Sequence, residues 1–108
     1  MIVYNKLVRD KIPEIIQQDG KKCETRILNN EEYIEMLDAK LDEEMAEYHK
    51  DQNLEELADI LEVVYSVAKA RGYSVDALEN LRKEKAEKRG GFDDKIMLLS
   101  VYSNKTEG

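Results

Sequence analysis

The sequence predicts a mainly helical protein, an antiparallel bundle of about four helices with a small two-stranded β element. Apolar residues recur at helical spacing in the middle of the chain, and a polar capping residue precedes each of three long helical segments. Only two short stretches have the composition of strands. The 108 residues suit one domain over residues 1–102, followed by a polar tail, residues 103–108, that is expected to fray.

The first elements are short. A helix is expected from about Lys11 to Gln18, capped by Asp10, with Pro13 in its first turn and Gly20 at its end. Residues 21–28 alternate weakly between polar and apolar side chains and are predicted to form the first strand.

Three longer helices are expected to follow. The second begins at the capping-box pair Asn29 and Glu32 and runs to about His49. Its predicted buried stripe consists of Ile34, Leu37, Leu41, Met45 and Tyr48. The third helix, capped by Asn53, spans residues 54–71, and the fourth, capped by Ser74, spans residues 75–88 before two glycines. Residues 95–102 are predicted to be the second strand, paired with residues 22–28.

Four acids are predicted to converge between the second and third helices. Glu44 and Glu47 are three residues apart, as are Glu56 and Asp59, so each pair shares one face of its helix. An antiparallel turn near residues 51–52 places Glu47 level with Glu56, and Glu44 level with Asp59. Because gathered like charges repel, this register favours a divalent cation between them. The competing interpretation makes Glu56 the capping-box partner of Asn53 and Asp59 a solvated edge residue.

Composition excludes several classes of function. The net charge of −7 and pI near 4.8 argue against binding to a nucleic-acid polymer through a basic surface. The sequence has no apolar run of transmembrane length, so no membrane partner is expected. The single cysteine, Cys23, rules out an internal disulfide and fits a cytoplasmic protein.

Basic residues in two segments are candidate phosphate contacts: Lys6 and Arg9 before the first helix, and Lys85 and Arg89 on the fourth. Basic residues this dense are common on ordinary surfaces, which is the favoured explanation of the first segment alone, and a solvated helix face explains the second equally well. Oxygen ligands at helical spacing suit Mg²⁺, with Mn²⁺ as the alternative. The sequence contains no phosphate-binding glycine loop. The only histidine, His49, does not stand three residues after a glutamate, so the Glu-x-x-His pattern of di-iron proteins is absent. With these motifs absent, the reaction that the acids and a bound cation would support is metal-assisted attack of water on a phosphorus atom.

The acidic pattern, Glu43-Glu44-x-x-Glu47 followed by Glu56-x-x-Asp59, resembles that of the MazG-like nucleotide pyrophosphohydrolases, which belong to the all-α NTP pyrophosphatase superfamily. The opening YNKLVRDKIPEII, the stretch EELADILEVV and the late KRGGF are similar to a short, single-domain subgroup described as phosphoribosyl-ATP pyrophosphohydrolase-like. The likeness covers nearly the whole chain.

This resemblance implies the MazG-like fold and cleavage between the α- and β-phosphates of a nucleotide, which yields a nucleoside monophosphate and pyrophosphate. It implies a homodimer or dimer of dimers that uses Mg²⁺. Glu44, Glu47, Glu56 and Asp59 would be metal ligands, and Glu43 would assist a water or a second ion, so the catalytic acids would be Glu43, Glu44 and Glu47. Clearance of non-standard nucleotides is one expected role. A phosphoribosyl-ATP pyrophosphohydrolase and a non-catalytic helical interaction protein are the alternatives.

Overall fold

The computed structural model describes residues 1–103 and contains four helices. They are α1 (Ile12–Gln18), α2 (Asn30–Asp51), α3 (Leu54–Ala70) and α4 (Val75–Arg89). The prediction of a mainly helical chain with four helices is confirmed. Helices α2 and α3 form a tightly packed hairpin joined by two residues, and α4 packs more loosely against α3.

Helix α1 differs from its prediction at the N-terminus. Lys11, not Asp10, occupies the N-cap position, and no side chain caps the helix. Pro13 lies in the first turn, where its missing N–H costs no helical hydrogen bond. Gly20 follows the helix with a φ of +80°, a conformation that glycine adopts without steric penalty.

Helix α2 begins as predicted and ends later. The Asn29 side chain accepts a hydrogen bond from the Glu32 N–H at 2.9 Å, and the Glu32 side chain returns to the Asn29 N–H, which completes the capping box. The helix continues through His49 to Asp51, and Gln52 then adopts a left-handed conformation with a φ of +51°. The turn between α2 and α3 is therefore shorter than the polar segment 49–53 suggested.

The caps of the remaining helices agree with the prediction. Asn53 accepts a hydrogen bond from the Glu56 N–H at 2.9 Å, and Ser74 Oγ accepts one from the Ala77 N–H at 3.0 Å. The Tyr65 hydroxyl donates to Glu79 at 2.9 Å and links α3 to α4.

The predicted two-stranded β element is not formed in residues 1–103. Lys95 has a φ of +61°, outside the extended region that a strand requires, and the apolar side chains at 96–99 remain largely exposed. A lone two-stranded ribbon gains too little burial to persist in water unless it packs against another layer. The tail residues 104–108 lie outside the described residues.

The described chain buries little of its apolar surface within itself. Among residues 1–103, only Leu37 on α2, at 3% exposed, and Val63 on α3, at 8%, are buried, both between the two hairpin helices. The chain exposes 10140 Å², whereas a compact monomer of 12.5 kDa exposes about 6,200 Å². The exposed surface exceeds that of a compact monomer by roughly 4,000 Å². Part of the exposed apolar surface comes from three leucines of α3, Leu54, Leu57 and Leu61. No helix within residues 1–103 combines the length and apolar character that crossing a bilayer requires.

Candidate metal site in the helical hairpin

The acids of interest lie along the seam between α2 and α3. Successive helical residues are rotated by about 100°, so Glu56 and Asp59 lie within about 40° of the buried Val63. By the same geometry Glu44 lies within about 20° of the buried Leu37 on α2, whereas Glu47 lies about 80° away. The seam position of Glu44 explains why its side chain is only 12% exposed.

The structure brings these carboxylates together in two overlapping groups. Oxygens of Glu44, Glu56 and Asp59 lie within 4.8 Å of one another, and oxygens of Glu47, Asp51 and Glu56 do so as well. Glu56 belongs to both groups. The antiparallel register expected from the sequence, with Glu44 near Asp59 and Glu47 near Glu56, is the register that the hairpin adopts.

Three cations contact one end of this acidic cluster. Lys40 Nζ lies 3.3 Å from Glu44 Oε1 and 3.5 Å from Glu43 Oε1. Lys6 Nζ lies 3.1 Å from the same Glu43 oxygen, and Arg9 Nη2 lies 2.7 Å from Asp59 Oδ1. Burial acts to raise the pKa of Glu43, but the hydrogen bond from Lys6 and the positive charges of Lys40 and Lys6 outweigh it, and the pKa is lowered.

The other end of the cluster carries uncompensated negative charge. Within residues 1–103, Glu47, Asp51 and Glu56 form no ion pair with a lysine or arginine. Loss of hydration raises the pKa of Glu56, and four nearby negative charges raise it further. These charges belong to Asp59, Glu47, Asp51 and Glu44.

The alternative role of Glu56 as a capping residue is only half realised. Its N–H donates to the Asn53 side chain, but its carboxylate does not return to the Asn53 N–H in the described structure. At the start of α2, by contrast, Asn29 and Glu32 make both bonds. The Glu56 carboxylate is therefore left to face the other acids.

The donor set fits a small, hard cation. Mg²⁺ binds oxygen ligands at 2.0–2.1 Å, so its ligand oxygens lie roughly 3 to 4 Å apart in an octahedral site. Carboxylate oxygens within 4.8 Å of one another reach those separations through small side-chain rotations, or with water completing the shell. The three members of the Glu44 group are all half-buried, which limits hydration of their charges and strengthens their pull on a cation.

The four predicted phosphate contacts fall into two separate places. Lys6 and Arg9 reach the acidic cluster and are engaged with its carboxylates. Lys85 and Arg89 instead line an open groove of about 520 Å³ with Phe92 at the end of α4. No hydrogen bond or ion pair in residues 1–103 connects this groove to the acids.

Sequence reasoning missed Asp51 because helix α2 was expected to end near His49. The i, i+4 spacing of Glu47 and Asp51 was the available signal, since a helix continuing for half a turn places both on one face. The double contact of Lys40 with Glu43 and Glu44 was also not anticipated.

Comparison with known proteins adds little to this geometry. No family model matches the chain, and no solved structure matches it. A stretch of 41 residues is 56% identical to part of an uncharacterised protein of Mycolicibacterium smegmatis (strain ATCC 700084 / mc(2)155). This stretch covers 38% of the chain and 42% of that relative.

Proposed function

We propose that the protein is a metal-dependent nucleoside triphosphate pyrophosphohydrolase that uses Mg²⁺, or Mn²⁺ in its place, to release pyrophosphate. The observation that carries this proposal is the convergence of Glu44, Glu56 and Asp59 from two helices, with Glu47 and Asp51 extending the cluster through Glu56. Two consecutive helices that gather acids in their seam lose stability through repulsion unless a cation neutralises them. The sequence resemblance to MazG-like enzymes supports the same chemistry and the same fold.

Each acid has a distinct part in this proposal. Glu44, Glu56 and Asp59 hold the cation, because they form the half-buried group. Glu47 completes the ligand set from the other group. A bound Mg²⁺ would neutralise phosphate oxygens and lower the pKa of an attacking water. Glu43 pairs with Lys6 and Lys40 and belongs to neither acid group, and its part in the proposal is to assist in orienting water.

The substrate would approach with its phosphates toward the hairpin. Lys6 and Arg9 lie against the acids and so stand where a polyphosphate chain would need positive charge. No hydrogen bond or ion pair within residues 1–103 joins the groove of Lys85 and Arg89 to the acids, so the proposal assigns these two cations to phosphates held by another copy. We therefore include a homodimer or dimer of dimers in the proposal, and the excess exposed surface supports it.

The experiment is a pyrophosphate-release screen with and without Mg²⁺ over ordinary, deoxy and damaged nucleotides and phosphoribosyl-ATP. With the best substrate, Glu47→Gln and Asp59→Asn should each lower kcat/KM by about 100-fold or more, because each removes a charged ligand. Glu55→Gln is the matched control. It removes the same charge from an exposed position on α3 outside both groups, and should retain turnover.

The same experiment separates the alternatives. Turnover confined to phosphoribosyl-ATP would identify the narrower activity. Unchanged turnover in both ligand variants would refute the site. If no substrate releases pyrophosphate and Mg²⁺ leaves the Tm unchanged, the chain is instead a helical interaction protein, since a cation that binds the native state must raise its Tm.

A further inference from the structure

The segment before α1 is attached to the acidic hairpin through charge. Residues 5–11, here called the N-terminal strap, contain Arg9 and Lys6, which pair with Asp59 and Glu43 at 2.7 and 3.1 Å. These partners are 50 and 37 residues distant in sequence. Helix α1, which follows the strap, packs against none of the other three helices in residues 1–103. The two ion pairs are thus a principal link between the N-terminal region and the site.

The strap neutralises only part of the cluster. Arg9 occupies an oxygen of Asp59, one of the three carboxylates that converge on Glu44 and Glu56. The group formed by Glu47, Asp51 and Glu56 has no such partner in the described chain. A cation entering the Glu44 group would therefore meet a positive guanidinium already bound to one of its ligands.

We propose that Arg9 of the strap acts, together with Lys40 on Glu44, as a counter-ion of the metal-free site, and that a divalent cation displaces Arg9 from Asp59. The Arg9 guanidinium and the cation compete for the same carboxylate and repel each other at contact distance. By linkage, a docked Arg9 weakens cation binding by the same factor by which the cation weakens docking of Arg9. Displacement leaves a guanidinium free beside the site for a phosphate of the substrate. This inference rests on the proposed metal site.

The first test compares Mn²⁺ affinity by calorimetry in the wild type, Arg9→Gln and Lys11→Gln. Arg9→Gln should bind Mn²⁺ about two- to fivefold more tightly, the range expected for loss of a competing exposed ion pair. Lys11→Gln is the matched control, because it removes one positive charge from the same strap at a residue with no ion pair in the described structure. Its affinity should change by less than about twofold.

The second test reads the strap directly by limited trypsin cleavage after Lys6. Saturating Mg²⁺ should speed this cleavage in the wild type, whereas Arg9→Gln should be cleaved rapidly with or without the ion. Mn²⁺ binding that is no tighter in Arg9→Gln than in Lys11→Gln would refute competition between Arg9 and the cation. It would leave the proposed metal site unaffected. Slower cleavage on adding Mg²⁺ would also refute the proposed displacement, because the strap would then close on the cation. Absence of Mn²⁺ binding in all three proteins would overturn the metal site and the strap together.

Discussion

The exposed leucines of α3 give the sharpest test of self-association. Leu54, Leu57 and Leu61 lie between about 120° and 180° around the helix from the buried Val63, so they face away from α2. Leu57 and Leu61 are each 47% exposed, and Leu54 is 82% exposed. We expect this stripe to be covered by a second copy and therefore choose Leu61→Arg as the perturbation.

The expected effect follows from the exposed area. Full burial of a leucine side chain is worth about 1.5–3 kcal/mol, so covering the exposed half of Leu61 is worth about 1 kcal/mol per protomer. In a twofold interface the substitution occurs twice, which gives about 2 kcal/mol and a dissociation constant roughly 30-fold weaker. Burial of the new guanidinium makes this value a lower bound.

The assay is light scattering coupled to size exclusion over a range of protein concentrations. Wild type should have at least twice the monomer mass of 12.5 kDa, whereas Leu61→Arg should dissociate at concentrations where the wild type does not. Leu61→Met keeps volume and apolarity and should remain associated. Glu55→Gln is the charge control, because it raises the net charge of α3 by one unit, as Leu61→Arg does, and it should also remain associated. A wild type that stays monomeric at the highest concentration, or a Leu61→Arg protein with unchanged association, would refute the reasoning.

Two further substitutions probe the seam itself. The folded protein raises the pKa of Glu56, so its ionised form opposes folding above that pKa and the penalty fades as the pH falls through it. Glu56→Gln should therefore have a higher Tm than wild type near neutral pH without divalent ions, a smaller advantage in acid, and weaker Mn²⁺ binding; a lower Tm near neutrality would contradict this. Leu37→Ala should lower the free energy of unfolding by about 2–5 kcal/mol in urea at fixed protein concentration, because Leu37 is only 3% exposed. Ile27→Ala, at a 95% exposed position, should change it by less than about 0.5 kcal/mol, and equal effects of the two would exclude the assigned core.

Local signals in the sequence were sufficient for the helices and for the pairing of acids across the hairpin. Asn29, Asn53 and Ser74 each cap the helix that they were predicted to cap, because an N-cap hydrogen bond depends on residues only three apart. The two i, i+3 acid pairs then needed only an antiparallel turn of the right length to come level. That part of the candidate site is a consequence of short-range geometry.

Contacts between distant segments could not be read from the sequence. The pairing of Arg9 with Asp59 joins residues 50 apart, and nothing in the local pattern distinguishes Arg9 from an ordinary surface cation. The predicted strands failed for a related reason: the apolar character of residues 96–102 is real, but a ribbon needs a surface to cover, and residues 1–103 of one chain do not supply it. The segment remains exposed instead of pairing with residues 22–28.

Two glutamates at the same position relative to a capping asparagine differ in how far their negative charge is compensated. Glu32 and Glu56 each stand three residues after a capping asparagine. Glu32 bonds with Arg26 at 2.8 Å and with the Asn29 N–H, and these hydrogen bonds lower its pKa. Glu56 makes neither kind of bond in the described chain and faces four other carboxylates, and its pKa is raised.

Since both glutamates follow a capping asparagine at the same spacing, the difference lies in what surrounds each carboxylate. Acids that served only to keep the chain hydrated would gain most from solvent on all sides, as on the outer faces of α2 and α4. The hairpin instead turns Glu56 toward other carboxylates, and two of these, Glu47 and Asp51, form no ion pair within residues 1–103. In the proposed metal-bound state a divalent cation would reverse the sign of that interaction, and the position of Glu56 in both acid groups would then stabilise the hairpin instead of opposing it.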